Sequence, residues 1–217
     1  MAEVATRGRV GTMKFATRPC WAMRPFASSL PPGSPHVGLS FDDGPQPDYT
    51  PGVLERLAEH RVRAAFYLVG RNVERDPATA KRIAQAGHTL GNHSYAHVTG
   101  NPFDVRASFA DIAACQKAIA GATGVRPTCY RPPFGTHTPA RLIAARRHGL
   151  RTVTWSLDAN DWQCRSLDDA VLCADALLRE ARPGDLILLH DGHAWVGPVL
   201  DRLLPGLRGR GLLPPSA

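Results

Sequence analysis

Residues 37–45 read VGLSFDDGP, and the rest of the chain can be interpreted outward from this stretch. Its apolar start predicts a short buried strand, and the Gly-Pro pair predicts a turn that ends the strand. Successive side chains of a strand point to opposite sides, so Asp42 and Asp43 can share a site only where the chain turns. Two carboxylates held this close repel each other. The pair therefore predicts a bound metal ion, a shared proton or a neighbouring arginine.

After this first strand, apolar segments of strand length alternate with segments of helical periodicity, the pattern of βα units around a parallel sheet. The predicted helices cover residues 49–61, 77–86, 104–120, 139–148, 167–181 and 196–207. The predicted strands cover residues 64–69, 89–91, 152–157 and 185–189, and the proline-rich segment 130–135 is predicted to be a loop. Polar clusters follow several strands. A barrel of such units gathers its strand ends on one face, where active sites lie.

The composition indicates a globular protein with one main domain. The length of 217 residues suits an α/β barrel, and 43% hydrophobic and 21% charged residues are ordinary values. The net charge of +7 comes from arginine, because the lysines are only Lys14, Lys81 and Lys117. The basic residues are scattered and form neither a charge run nor a basic-aromatic stripe. We therefore expect a solvated basic surface and no nucleic-acid partner.

Residues 1–35 lack clear periodicity and end in a proline-rich segment. We predict an N-terminal arm over residues 1–35, either partly disordered or packed over the barrel through Trp21 and Phe26, followed by one domain over residues 36–217. The five cysteines are odd in number and form no Cys-x-x-Cys pair, which favours reduced thiols. No apolar run is long enough for a signal peptide or a membrane span. These observations predict a cytoplasmic protein without a membrane partner, and we expect it to be a monomer.

His93 and His97 lie four residues apart in the segment HSYAH. This spacing places two side chains on one face of a helix. Two histidines and one carboxylate form a three-ligand site for a divalent metal that leaves positions for water and substrate, and Asp43 is a good candidate for the third ligand. The spacing alone also arises by chance among surface and core histidines. The carboxylate pair and the shared position after predicted strands favour the metal site.

Three further clusters carry side chains suited to catalysis. Arg131, in the segment RPPFG, lies on stiff backbone and can hold an ionised carboxylate bidentately. The segment DANDW at residues 158–162 offers two carboxylates and an indole, which can orient a histidine and line a groove. His190 ends a predicted strand and faces the same rim. Each cluster alone is more often structural: a surface turn, a polar turn with Trp162 over the core, or a core histidine.

Taken in order, these five segments resemble the five motifs of the polysaccharide deacetylases, the NodB-homology group or carbohydrate esterase family 4. The resemblance extends from about Val37 to Leu212, and five motifs in one order are far more specific than any single one. It implies a distorted (β/α) barrel of seven or eight units. It also implies a zinc ion, or another divalent metal such as cobalt or nickel, and an acetylated carbohydrate or glycoside as substrate.

The same resemblance implies a role for each matched residue. Asp42 would be the general base, oriented by Arg131, and His190 would be the general acid, tuned by Asp161. The implied metal ligands are Asp43, His93 and His97.

The remaining matched residues would bind the substrate. The backbone N–H of Phe134 would help to hold the oxyanion, and Trp162 and Leu188 would shape the acetyl pocket. Phe134 replaces the tyrosine common in this motif, which leaves a backbone role intact. The implied reaction is hydrolysis of an acetamide to a free amine and acetate.

Three alternatives stay open at this stage. An O-acetyl carbohydrate esterase needs the same catalytic groups. An oxygen-using hydroxylase is a second alternative, because two histidines and one carboxylate also suit non-haem iron. A binding module that keeps the fold without catalysis is a third, and the presence of every expected acid, base and ligand argues against it.

Overall fold

The computed structural model describes residues 26–214. In that part of the chain, eight strands pair in one sheet, and every pairing between them is parallel. The strands are β1 (Phe26–Ala27), β2 (Gly38–Asp42), β3 (Ala65–Leu68), β4 (Thr89–Asn92), β5 (Cys129–Tyr130), β6 (Arg151–Val153), β7 (Leu157–Asp158) and β8 (Leu186–His190). Their order is β1-β6-β5-β4-β3-β2-β8-β7. The sheet curls into an incompletely closed barrel, which confirms the predicted distorted (β/α) barrel.

Helices cover the outer face of the sheet. They are α1 (Thr50–Glu59), α2 (Gly70–Arg75), α3 (Pro77–Gln85), α4 (Val105–Thr123), α5 (Pro139–Arg147), α6 (Leu167–Glu180) and α7 (Val196–Gly209). Four of them begin at a side chain that accepts a backbone N–H of the first turn, which satisfies a donor that every helix start leaves unpaired. These caps are Asp76, Asp104, Thr138 and Ser166. No helix within residues 26–214 is both long and apolar enough to cross a membrane.

The alternation of side chains along the central strands separates the core from the barrel interior. Outward-pointing residues join one large apolar cluster beneath the helices, including Leu39, Phe41, Phe66, Leu68, Ile187 and Leu189. The intervening residues point into the barrel, where Ala65, Tyr67, Cys129, Val153 and Leu186 form a smaller cluster. The same alternation continues along β2 and β8. Asp42 and His190 are paired in register, and both point into the barrel at the carboxyl end of the sheet.

The prediction of one strand over residues 152–157 is wrong. The chain leaves β6 after Val153 and enters β7 at Leu157, close to the opposite end of the strand order. Between them, Ser156 Oγ donates a hydrogen bond to Asp185 at 2.8 Å, and the carbonyl of Thr154 accepts one from Arg131. Asp185 and Arg131 are remote in sequence from this segment. The sequence of the segment alone therefore has the pattern of one continuous strand, although the chain passes from one strand to another within it.

Three short elements also differ from the sequence prediction. Helix α2 has only six residues, too few for its periodicity to be recognised. The second residue of strand β5, Tyr130, is the first residue of the segment predicted as a loop. It pairs with Asn92 of β4 and with Thr152 of β6. Strand β1, at the end of the predicted arm, pairs with β6. Most of the predicted arm, including Trp21, lies outside the described residues. The predicted boundary between an arm over residues 1–35 and a domain over residues 36–217 therefore stays a prediction.

Candidate active site

Four strands of the sheet carry predicted catalytic or metal-binding side chains at or just after their carboxyl ends. Asp42 ends β2, and His190 ends the adjacent β8. His93 directly follows β4, and Arg131 directly follows β5. Because the carboxyl ends of parallel strands meet at one edge of a sheet, these side chains converge as the sequence predicts.

The chain turns at Asp43, so that both carboxylates face the same site. The φ angle of Asp43 is 75°, a left-handed conformation that aspartate adopts more readily than most residues. The side chain of Asn72 donates to the Asp43 carbonyl at 2.7 Å, and the N–H of Val69 donates to the Gly44 carbonyl at 2.9 Å. The reversal expected from the Gly-Pro pair therefore begins one residue earlier.

Left-handed backbone is concentrated at this end of the barrel. Within residues 26–214, six non-glycine residues have positive φ, and one of them, Arg61, lies outside the motif segments. The other five are Asp43, Ser94, His97, Phe134 and Asn160. Such conformations cost about 1–3 kcal/mol each and persist where surrounding contacts fix them. Their clustering supports a functional site here.

Asp43, His93 and His97 form a compact group of ligand atoms, all within 4.8 Å of one another. Oδ1 of Asp43 lies 3.1 Å from Nε2 of His97 and 3.5 Å from Nε2 of His93. Burial lowers the pKa of His93 to about 3, although the charge of Asp43 opposes this shift. His93 is therefore a neutral imidazole at neutral pH, the form that binds a metal.

These three side chains fit a divalent cation. Oδ1 of Asp43 is buried and accepts no hydrogen bond from any residue that the structure describes. Nδ1 of His93 lies 2.8 Å from the carbonyl oxygen of Arg131, so Nδ1 carries the proton and Nε2 presents its lone pair. One carboxylate and two imidazoles suit zinc, and they also accept cobalt or nickel.

The two histidines do not lie on a helix, so their spacing of four residues does not reflect helical periodicity. The chain leaves β4 as an irregular loop with positive φ at Ser94 and His97. Asp111 on α4 accepts hydrogen bonds from the backbone N–H groups of Tyr95 and Ala96, both at 3.0 Å. A carboxylate on a neighbouring helix thus shapes the loop, and the two imidazole centroids lie 4.9 Å apart.

Arg131 is fully buried and holds Asp42 from inside the barrel. Its Nη1 donates to Oδ1 of Asp42 at 2.7 Å and to Oγ of Ser40 at 3.0 Å. Its Nη2 donates to the carbonyl of Thr154 at 2.7 Å, and its Nε donates to that of Val153 at 3.3 Å. The predicted bidentate clamp is therefore wrong, since carbonyl groups at the end of β6 and just after it accept hydrogen bonds from Nε and Nη2. The alternative of a solvated surface arginine is also wrong.

Asp42 combines burial with positively charged neighbours. Its Oδ2 lies 3.5 Å from Nε2 of His93. Burial raises the pKa of Asp42, and the positive charges of Arg131 and His190 offset only part of this effect. A carboxyl group whose pKa is raised toward the working pH is a better proton acceptor than an ordinary aspartate.

Asp161 lies in a 3₁₀ turn, Asp161–Gln163, is fully buried and holds His190. Its Oδ1 lies 2.8 Å from Nδ1 of His190, and its Oδ2 accepts the backbone N–H of His190 at 2.8 Å. Burial lowers the pKa of His190, but the hydrogen bond and charge of Asp161, with the charges of Asp42 and Asp43, raise it overall to about 9. His190 is therefore protonated at neutral pH.

The three residues predicted to bind the substrate differ in exposure. Leu188 is buried on β8, in register with Ser40. Trp162, in the same turn as Asp161, is 52% exposed. The ring of Phe134 is 63% exposed, and its centroid lies 4.6 Å from that of His97. Their roles in binding stay predictions.

The sequence of this chain is similar to a known protein family and to several characterised proteins. Residues 29–153 match the family model described as polysaccharide deacetylase. The chain belongs to the polysaccharide deacetylase family. PgdA of Listeria monocytogenes, a peptidoglycan-N-acetylglucosamine deacetylase, is 35% identical over 175 residues, which are 81% of this chain and 36% of PgdA. The chitooligosaccharide deacetylase of Sinorhizobium fredii is 33% identical over 207 residues, covering 83% of this chain and 89% of the relative. The chain thus spans about a third of PgdA.

Solved structures extend the likeness of this polysaccharide deacetylase family member beyond residue 153. The Bc1960 peptidoglycan N-acetylglucosamine deacetylase is 32% identical with a TM-score of 0.78, covering 87% of this chain and 89% of that one. BA3943 of Bacillus anthracis, a CE4 family pseudoenzyme, is 26% identical with a TM-score of 0.79, covering 87% and 66%. A deacetylase and a pseudoenzyme therefore share this fold, so the fold alone does not establish activity.

Two supporting side chains of this family member, Asp191 and Arg141, were not predicted from the sequence. Thr50 Oγ1 donates to Oδ2 of the buried Asp191 at 2.5 Å. A Cβ atom on Gly44 would lie 2.5 Å from the same oxygen. Arg141 donates hydrogen bonds to the carbonyl of Thr99, in the loop after His97, at 2.8 Å and to the carbonyls of Pro133 and Thr136, in the loop after Arg131. It therefore connects these two loops. The His-Asp pair at residues 190 and 191 was a signal for Asp191, whereas Arg141 resembles any helical arginine.

Gly44→Ala is expected to lower the free energy of unfolding by about 1–3 kcal/mol, the usual cost of overpacking. The new methyl group would meet the Asp191 carboxylate, which Thr50 holds in place. Urea denaturation followed by circular dichroism measures the change. Gly121→Ala, in α4 with open space around its Cβ position, is the control and should gain about 0.5–1 kcal/mol. Unchanged stability of Gly44→Ala would show that the turn tolerates a side chain.

A polar groove of about 560 Å³ adjoins two of the candidate metal ligands. It is lined by Asp43, Gln46, Val69, Arg71, Asn72, Arg75 and His97. This volume lies within the usual range of small-molecule sites, so a sugar residue can be accommodated beside the ligands.

Proposed function

We propose that this protein removes the acetyl group from N-acetylated sugars, with oligosaccharides, polysaccharides or glycosides that contain N-acetylglucosamine as substrates. One observation carries the proposal: the metal-ligand set, the buried carboxylate of Asp42 and the protonated imidazole of His190 meet at one end of the barrel. The names of the relatives as peptidoglycan-N-acetylglucosamine and chitooligosaccharide deacetylases support the same substrate class.

Asp43, His93 and His97 would hold the metal, and zinc is the ion we propose, with cobalt or nickel as substitutes. The nitrogen and oxygen ligand set and the unpaired Oδ1 of Asp43 support this assignment. When bound, such an ion polarises the acetyl carbonyl and makes water easier to deprotonate.

Asp42 acts as the general base in this proposal. Arg131 occupies its Oδ1 and favours the ionised form, so Oδ2 is the oxygen that accepts the proton of the attacking water. General-base catalysis of this kind typically contributes about 10²–10⁴-fold to the rate.

His190 acts as the general acid. Its Nδ1–H is directed to Asp161, which leaves Nε2 as the atom that gives a proton to the leaving amine while the C–N bond breaks. The acid and the base occupy different environments, and one site therefore holds opposite protonation states at neutral pH. The products are acetate and a free amine.

The substrate contacts are proposed from the family motifs. The backbone N–H of Phe134 would stabilise the carbonyl oxygen as negative charge develops there. Trp162 and Leu188 would border the acetyl group. Phe134 contacts the His97 ring through its own ring, so replacement of the common tyrosine keeps an aromatic contact.

The alternative activities use parts of the same site. An O-acetyl ester would be attacked by the same groups. An iron-dependent hydroxylase would use the metal ligands, but it gives no role to the buried Asp42–Arg131 and His190–Asp161 pairs. A binding protein would resemble the pseudoenzyme BA3943 in fold, yet here the acid, the base and the ligands are all present.

Acetate release tests the proposal. Metal-stripped protein is reloaded with zinc, cobalt, nickel or iron(II) and incubated with N-acetylglucosamine oligomers, peptidoglycan fragments and acetylated xylan. We expect acetate from the N-acetylated glycans with zinc or cobalt. Release from xylan alone would indicate the esterase, and oxygen uptake only with iron would indicate the hydroxylase. No turnover on any substrate would contradict the proposal.

The pH profile gives a second test, through Asp161→Asn. Because the pKa of His190 is raised to about 9, activity that requires protonated His190 is present below that pH and lost above it. Asparagine lacks the negative charge, so the pKa of His190 falls and the alkaline limb of kcat/KM moves to lower pH. Asp158→Asn, at a carboxylate that accepts the nearby Asn160 N–H at 2.9 Å, is the control. An unmoved limb in Asp161→Asn would contradict the assignment of the acid.

The cytoplasmic location, the monomeric state and the lack of a nucleic-acid partner remain proposals. The scattered basic charge supports the lack of a nucleic-acid partner.

A further inference from the structure

We infer that His193 is a second positioning residue for the general acid, because it donates a hydrogen bond to the carboxylate that holds His190. The inference rests on the proposed function, in which His190 is the acid. His193 lies between β8 and α7, outside the five segments that resemble the family motifs. Nothing in the sequence distinguishes it from the other histidines.

Two imidazoles share the Asp161 carboxylate. Its Oδ1 accepts a hydrogen bond from Nδ1 of His190 at 2.8 Å. Its Oδ2 accepts two, from the backbone N–H of His190 at 2.8 Å and from Nε2 of His193 at 3.1 Å. The side chains of His190 and His193 are 17% and 19% exposed, and that of Asp161 is fully buried. Both rings therefore lie at the rim, and the carboxylate lies beneath them.

The proton of His193 has a defined position. The backbone N–H of Trp195 donates to Nδ1 of His193 at 3.2 Å, so Nδ1 must present a lone pair. The single proton of the neutral ring is then on Nε2, the atom that faces Asp161. His193 thus contributes a neutral donor, and it does not compete with His190 for the role of the acid.

This extra donor affects how strongly Asp161 attracts the proton of His190. Burial raises the pKa of Asp161, but the hydrogen bonds from His190 and His193 lower it below its ordinary value. Without His193, one acceptor site of Oδ2 is left unpaired in a buried place. More of the negative charge then acts on His190, which holds its proton more tightly and is a weaker donor to the leaving amine.

The other charged groups that face His190 are Asp42 and Asp43 at the end of β2. Arg131 donates a hydrogen bond to Oδ1 of Asp42. A substitution at His193 leaves these groups in place, so a change in the titration of His190 would report on Asp161.

Three substitutions separate the donor from the shape of the ring. His193→Phe keeps the ring and removes the donor, and His193→Asn keeps a polar side chain too short to reach Asp161. His193→Gln can place its amide nitrogen near the position of Nε2. We expect kcat to fall about tenfold in His193→Phe and His193→Asn, as for other outer-shell partners, with little change in KM. His193→Gln should recover most of this loss.

The titration of His190 provides a readout that does not need turnover. NMR of the imidazole nitrogens in the zinc-loaded protein should show His190 titrating at higher pH in His193→Phe and His193→Asn than in the wild type, and His193→Gln should restore it. His148→Phe, at a histidine bonded to the Phe109 carbonyl away from the site, is the matched control and should change neither kcat nor the titration.

Wild-type kcat and an unchanged His190 titration in both donor-deficient variants would overturn the inference. A Gln variant as impaired as the Phe variant, with an unmoved titration, would also overturn it, because only a structural role would remain. If the wild type releases no acetate from any glycan, the proposed function fails, whereas the titration still shows whether His193 acts on His190.

Discussion

Asp42→Asn is expected to lower kcat by about 10³-fold or more at neutral pH while leaving the bound metal unchanged. The amide has nearly the same shape as the carboxylate, and its oxygen can still accept the bond from Arg131. It cannot take a proton from water, so the chemical step loses its base. Metal content is expected to hold, because the ligand set consists of Asp43, His93 and His97.

Acetate release and metal per chain, measured on the same preparation, check both parts of this prediction. Asp48→Asn, an exposed carboxylate in the loop after β2, is the control and should keep wild-type activity. Full activity of Asp42→Asn would exclude Asp42 as the base. Loss of metal in this variant would instead assign Asp42 to the ligand set.

His97→Ala is expected to weaken metal binding by more than about 100-fold, beyond the 10–100-fold that the loss of an outer-shell partner costs. His97 supplies one of three protein ligands, with Nε2 3.1 Å from Oδ1 of Asp43. It is a cleaner test than His93, which is buried and bonds the Arg131 carbonyl, so that its removal would also disturb the fold.

Competition with a chelator of known affinity measures the metal affinity of His97→Ala. His148→Ala, at a histidine remote from the site, should bind metal like the wild type. An unchanged affinity in His97→Ala would remove His97 from the ligand set. Activity of His97→Ala should recover in part at high metal concentration, because Asp42 and His190 remain in place.

The chemistry of the site could be predicted because short segments carry it. A carboxylate pair before Gly-Pro and two nearby histidines predict a metal site through their residue types, and the resemblance of five segments to the family motifs implies the base. The rule that parallel strands end on one face then brings the segments together. Long periodic helices such as α6 were predicted to within one residue at each end.

Contacts between distant residues could not be predicted in this way. The donors of Arg131 go to the Thr154 and Val153 carbonyls, and that geometry depends on how the chain crosses between β6 and β7. The loop between the metal-binding histidines takes its shape from Asp111 on α4. His193 carries no local signal, since its function comes from a carboxylate 32 positions away.

Arg131 touches the base through its side chain and a metal ligand through its backbone: Nη1 lies 2.7 Å from Asp42, and its carbonyl oxygen lies 2.8 Å from Nδ1 of His93. Arg131 thus links the general base to a metal ligand. By thermodynamic reciprocity, an ion that tightens the placement of His93 also tightens that of Asp42, and a substitution that breaks the hydrogen bond between Arg131 and residue 42, which Asp42→Asn retains, weakens the hold on the ion. Stripping the metal is therefore expected to leave the base less ordered, so that the site assembles cooperatively as the metal binds.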